Sequence, residues 1–267
     1  MMTGLSGSVV VVTGAGGLIG SAVCSALLRE GATVVAQYRN RPPAVPTHVS
    51  IQADLTDEDQ VRKIFAEARS TVGAPDGCIA AAATWPPNRT AIVDMTTAEW
   101  HEHFTANALM TFLTVREFLA DVRSRGTGSL VLMGAAAATY GHPGRAHFAA
   151  SKSAVTFGLL QSLVDEMTAL APRARVNLVA PGSVGTGEPP VVDADDDTAP
   201  QSFLALPDPP SADDVASAVV WLLSPRLSGA VTGQVVRVDA GLAGRFRRKV
   251  VRDSDLAAAA ADGTARS

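Results

Sequence analysis

Val9-Val10-Val11-Val12-Thr13-Gly14-Ala15-Gly16-Gly17-Leu18-Ile19-Gly20 is the stretch on which the fold turns. Its four valines show no polar alternation, the pattern of a strand buried on both faces, as in a parallel sheet. The glycines that follow bare backbone N–H groups where a diphosphate must come close. Leu18 to Glu30 then carry apolar residues at helical spacing, so the turn feeds a helix N-terminus with unpaired donors and a favourable dipole. Strand, glycine turn and helix together read as a phosphate-binding loop. Thr13, Gly14, Gly16, Gly17, Leu18, Ile19 and Gly20 are its candidate contacts.

The alternation continues outward from this unit. Further strands are predicted at 33–36, 48–53, 77–82, 130–133, 176–179 and 235–238. Helices are predicted over 57–72, from a Thr96/Glu99 capping box to about Arg123, and near 149–170 and 212–223. Strands alternating with helices imply crossover units. The expected fold is therefore α/β: a doubly wound, Rossmann-type parallel sheet of about seven strands flanked by helices, in one domain over 1–242. Residues 183–210, rich in Pro, Gly and Asp, read as a mobile substrate loop. Residues 243–267 open with Arg245, Arg247, Arg248, Lys249 and Arg252, then turn to Ala, Gly and Ser, and read as a basic, partly disordered tail.

Composition narrows the function. The 267 residues are 47% hydrophobic and 18% charged, with a formal net charge of −4, which suits a globular core and gives no general attraction to nucleic acid or anionic membrane. Two cysteines, Cys24 and Cys78, make no disulfide scaffold, and no Cys/His cluster points to a metal. Neither a signal peptide nor a bilayer-spanning run is evident, so a cytoplasmic protein is expected. The second strand ends Ala36-Gln37-Tyr38-Arg39-Asn40-Arg41. An acid there favours NAD, whereas an Arg holds a 2′-phosphate. The absence of an acid favours NADP(H), with Arg39 as its leading contact.

Several motifs in order now give a resemblance. The glycine loop, Ala53-Asp54-Leu55, Asn107, Val179-Ala180-Pro181-Gly182, Val231-Thr232-Gly233-Gln234 and Val238-Asp239-Ala240-Gly241 are similar to those of a short-chain dehydrogenase/reductase over roughly residues 7–241. Leu18 replaces the middle glycine of the usual loop, and the spacing Gly14-xx-Gly17-xx-Gly20 matches the variant of the family's extended branch. The resemblance implies that Asp54 and Leu55 meet the adenine, that Pro181, Gly182 and Thr186 line the nicotinamide, and that Lys152 holds its ribose. It also implies a homodimer or homotetramer formed by the helices near 97–123 and 149–170, where Ala154 and Gly158 allow close approach.

The family's catalytic pair is missing. Its Tyr-xxx-Lys reads Phe148-Ala149-Ala150-Ser151-Lys152, and its catalytic Ser falls on Ala135. Ketone reduction creates an alkoxide that needs a proton donor, and phenylalanine supplies none. Lys152 remains, one of only three lysines among 22 Lys and Arg residues, as does Asn107, which also suits satisfying backbone groups at a helix bend. Tyr140 is the first candidate replacement donor. His147 is another, although its neighbour Phe148 points about 100° away on a helix. Trp85, Ala135 and Phe148 suggest an apolar substrate cleft, with Trp85 equally suited to a core or oligomer contact. The expected function is an NADP(H)-dependent oxidoreductase acting on an iminium or conjugated enone. The alternative is a non-redox enzyme of this fold, or a silent nucleotide sensor.

Overall fold

A computed structural model describes residues 2–185 and 204–242. Seven parallel strands form one sheet: β1 (Val9–Thr13), β2 (Thr33–Tyr38), β3 (Val49–Gln52), β4 (Gly77–Ala80), β5 (Ser129–Met133), β6 (Arg175–Pro181) and β7 (Val235–Val238). Their order is β3-β2-β1-β4-β5-β6-β7. The chain winds outward from β1 to β3, crosses back to place β4 beside β1, and winds outward again. That reversal opens a crevice at the carboxyl ends of β1 and β4, where open α/β sheets bind ligands.

Both faces of the sheet are covered, which is why the first strand opens with four consecutive valines. Val9 and Val11 join one core with Phe65, Phe118, Leu130, Leu160 and Met167, whereas Val10 and Val12 join the other with Val23, Leu27, Val219 and Leu222. This division follows the two-residue alternation of strand side chains. Helices α1 (Leu18–Arg29) and α8 (Ala212–Leu223) cover the second face. On the first lie α2 (Glu58–Thr71), α4 (Met110–Arg125) and α7 (Leu160–Leu170).

Three helix starts are closed by side chains. Asp57 accepts from the N–H groups of Asp59 and Gln60 at α2, Thr96 and Glu99 form the expected box at α3 (Thr97–Phe104), and Ser211 and Asp214 form another at α8. The start of α1 is different: Gly17 caps it without a side chain, and no acid lies in its first turn. Its orphan donors therefore face the crevice.

The observed helices depart from the predicted ones in two ways. A π-helical turn at Thr105–Leu109 separates α3 from α4, and another at Ala154–Leu159 separates α6 (Ala146–Ser153) from α7. Thr111 and Thr156 hydroxyls donate back to the Asn107 and Lys152 carbonyls, local bonds that loosen the ordinary ladder without changing the apolar pattern. The alanines after β5 also form a short helix, α5 (Ala137–Tyr140). Among the described residues no helix is long and apolar enough to cross a membrane. The predicted tail and most of the predicted mobile loop lie outside the described residues.

Candidate active site

The crevice is a cleft of about 1450 Å³, larger than the ~300–1,000 Å³ of a pocket for one drug-sized ligand. Its inner end is the glycine turn. Gly14 has φ +67° and an added Cβ would lie 2.6 Å from Ala82 Cα, so a side chain there would be both strained and blocked by the β4 loop. At Gly20 the added atom would fall 2.2 Å from the Gly14 carbonyl oxygen, which fixes how closely α1 approaches the turn.

Gln37, which sequence reading did not single out, braces the same turn. Its Oε1 accepts from Gly14 N–H at 2.9 Å and its Nε2 donates to the Ala53 carbonyl at 2.7 Å. The Gln37 carbonyl also accepts from Ala15 N–H at 2.8 Å. The available signal was one long polar residue directly after the Val34–Ala36 apolar run, within the same strand.

Tyr38, Arg39, Asn40 and Arg41 line the cleft beyond β2, and Leu55 closes that side. Among the described residues the lining contains no Asp or Glu at all, although the chain carries a net charge of −4. A glycine cradle, an uncapped helix start and two arginines suit a phosphorylated dinucleotide.

At the centre, β5 and α6 bring Ala135, Phe148 and Lys152 together on the cleft wall. Phe148 and Lys152 are four residues apart on one helix and share a face. Lys152 is 2% exposed, and its Nζ donates to the Met133 carbonyl at 2.9 Å. Burial pushes its ammonium pKa down to about 8. The Pro181-Gly182 turn faces it, held by Ala136 N–H on the Pro181 carbonyl and Gly182 N–H on the Val238 carbonyl.

The outer end is aromatic. Trp85 stands edge-on to Phe148 at 4.8 Å between centroids and to His142 at 5.3 Å. The Arg145 guanidinium lies 4.5 Å over the Trp85 ring. Burial, before the nearby Arg145 and Arg89 charges, lowers the His142 pKa. Arg145 and Arg89 were also absent from the predicted site; a Gly- and Pro-rich turn gives no periodic signal to place such a side chain.

Other expected residues sit elsewhere. His147 does not line the cleft: it is buried against His103 with ring centroids 4.3 Å apart, and burial lowers its pKa. The roughly 100° helix step that points Phe148 inward turns His147 outward. Asn107 is fully buried in the first π turn, and its amide donates to the His103 and Thr84 carbonyls while accepting from Thr84 N–H. It holds the loop after β4 rather than lining the cleft.

Thr13 bridges β1 to β4 through the Ile79 carbonyl and Ala82 N–H. The Asp54 carboxylate accepts from Thr56 N–H and Oγ1 within its own turn, and only Leu55 of that pair reaches the cleft. Tyr140 does line it, with its hydroxyl accepting from Arg237 Nη1 at 2.7 Å. Thr186 lies outside the described residues.

Comparison with known proteins agrees with this architecture. A family model described as Enoyl-(Acyl carrier protein) reductase matches residues 14–243. An acetoacetyl-CoA reductase of Synechocystis is 28% identical over 236 residues, 88% of this chain and 96% of its own. A 3-oxoacyl-(acyl-carrier-protein) reductase of Vibrio harveyi is 25% identical, with 89% and 98% covered. A short-chain type dehydrogenase/reductase of Bradyrhizobium diazoefficiens is 30% identical, with 88% and 87% covered. With its 3-2-1-4-5-6-7 parallel sheet and glycine turn at the switch point, the chain belongs to the short-chain dehydrogenase/reductase family of nicotinamide-dependent oxidoreductases.

Proposed function

We propose that this protein uses NADP(H) to reduce an iminium or a conjugated enone rather than a simple ketone. The observation that carries the reading is Phe148 and Ala135 on the cleft wall beside a retained, buried Lys152. The nicotinamide supplies a hydride when bound. The chain's part is to hold it: the glycine turn and α1 start at the diphosphate, Arg39 at the 2′-phosphate, Lys152 at the nicotinamide ribose, and Pro181-Gly182 behind the ring. Asn107 acts indirectly, by fixing the Thr84 loop.

Two relatives are named as reductases of acetoacetyl-CoA and 3-oxoacyl-(acyl-carrier-protein). A ketone that gains hydride becomes an alkoxide, and a general acid there contributes about 10²–10⁴-fold. Phe148 has no proton to give. An iminium is neutralised by hydride alone, and an enone spreads its charge, taking a proton from water or from Tyr140 at the rim. The apolar wall of Trp85, Phe148 and Ala135 suits such substrates.

Self-association fits the same reading. Phe104, Leu109, Phe112 and Phe157 are exposed on α3, α4 and the π turns beside them, and Gly158 has open space where a Cβ would project. These residues support a homodimer or homotetramer packed through those helices.

The test is NADPH consumption with dihydroisoquinolinium, cyclohexenone and cyclohexanone. Turnover of the first or second, with the ketone slower by about 10²-fold or more, is expected. No turnover of any in protein that binds NADPH would overturn hydride transfer and favour a non-redox reaction in the same cleft.

A further inference from the structure

Two arginines at the outer end of the cleft have no task in the nucleotide reading. Arg145 starts α6, and Arg89 lies on the loop after β4. The two segments are stitched together: Thr90 N–H donates to the Gly144 carbonyl at 2.8 Å, and Arg145 Nε donates to the Pro86 carbonyl at 3.2 Å. Gly144, with φ +74°, lets the Arg89 backbone come close, since an added Cβ would lie 2.8 Å from Arg89 Cβ.

Both side chains thus line one wall with Trp85 and His142. No carboxylate among the described residues lies within ion-pair distance of either guanidinium, whereas Arg62, Arg69, Arg116 and Arg125 all have acidic partners. Burial, then the Arg89 charge, lowers the Arg145 pKa, as expected of like charges held together without compensation.

The Arg145 Cζ already lies over the Trp85 ring, 4.5 Å from its centroid. That contact, the Nε bond and the approach of Nη1 to His142 Nε2 at 3.4 Å fix the guanidinium, while Nη2 has no protein partner among the described residues and remains for a ligand. A fixed guanidinium fork matches a carboxylate better than it matches a neutral amide or ketone. Phe148, Trp85 and Ala135 offer apolar surface between this fork and the centre of the cleft.

We infer that the substrate carries a carboxylate on a planar apolar body, with Arg145 and Arg89 seating the carboxylate at the mouth and the aromatic wall seating the body. This rests on the reading that the inner cleft holds the nucleotide, which leaves the outer arginines to the substrate. Arg145 and Arg89 are then specificity residues, distinct from the hydride-transfer centre.

The probes are naphthoate and naphthamide, titrated calorimetrically into the full chain with and without NADPH. Naphthoate binds about tenfold or more tightly than naphthamide, the advantage of a hydrogen bond to a charged group. In the double variant Arg89→Gln, Arg145→Gln the ratio falls to near one, with naphthamide affinity little changed. Arg89→Gln alone, at an exposed position that carries little of the fold, lowers the ratio in part. Equal affinities in the unaltered protein, a ratio that survives the double substitution, or no binding of either probe would each overturn the inference. If NADPH fails to bind while the arginine-dependent preference holds, the nucleotide reading fails and the carboxylate site stands.

Discussion

Replacing Lys152 with Met removes one titrating group and keeps most of its bulk. In the folded protein burial holds this ammonium at a pKa of about 8, against an ordinary 10.5. Between those values the unfolded chain binds a proton that the folded chain has released, so stability rises with pH across the window. The same stability is lost as pH falls back through the folded value. A gap of about 2.5 units corresponds to roughly 3.5 kcal/mol at about 1.4 kcal/mol per unit.

Urea unfolding of both proteins at about pH 7 and about pH 10 isolates this contribution, because every other group titrates in both. The stability difference should move by about 2–3 kcal/mol in favour of the unsubstituted protein as pH rises. A difference independent of pH would contradict this, since the Lys152 pKa would then be the same in the folded and unfolded chains. The Met133 carbonyl loses its ammonium partner in the variant at any pH where the ammonium is charged. The neutral amine donates as well, so this loss is present at both pH values and leaves the movement unchanged.

Phe148→Tyr with Ala135→Ser places a phenol and a hydroxyl beside Lys152, and cyclohexanone reduction should rise by about 10²-fold or more; steady-state kinetics showing no gain would mean that the wall geometry, not the missing groups, blocks ketones. Gln37→Leu deletes the bonds to Gly14 N–H and the Ala53 carbonyl, leaving buried polar groups unmatched at about 1–3 kcal/mol each. A lowered Tm and weaker NADPH binding are expected, and an unchanged Tm would contradict the bracing role.

The parts of the fold set by local chemistry were legible in the sequence. The unalternating valines of β1 and the Thr96/Glu99 box appear as predicted, and Val235–Val238 forms its strand, though at the sheet edge and only half-buried. The π turns were not, because one extra residue in a helix changes hydrogen bonding while leaving the apolar spacing nearly intact. At the site, Phe148, Ala135 and Lys152 were found by comparison with a known motif, and they line the cleft together.

Asn107 and His147 show the limit of that approach. Neither a motif position nor adjacency in sequence says which way a side chain turns, and burial between α3 and α6 directs His147 to His103. Gln37 and Arg145 escaped notice for a different reason. Their partners, Ala53 and Pro86, are distant in sequence, so only the assembled fold brings the bonds into being.

The proposal that this cleft holds NADP(H) through Arg39 and Lys152 is tested most directly by titrating the purified protein with NADPH and NADH, followed by nicotinamide fluorescence. NADPH should bind about tenfold or more tightly than NADH, as a charge-assisted phosphate contact requires. Arg39→Ala should erase that preference, and Lys152→Ala should weaken both nucleotides. Equal affinities that Arg39→Ala leaves untouched, or no binding of either nucleotide to well-folded protein, would contradict it.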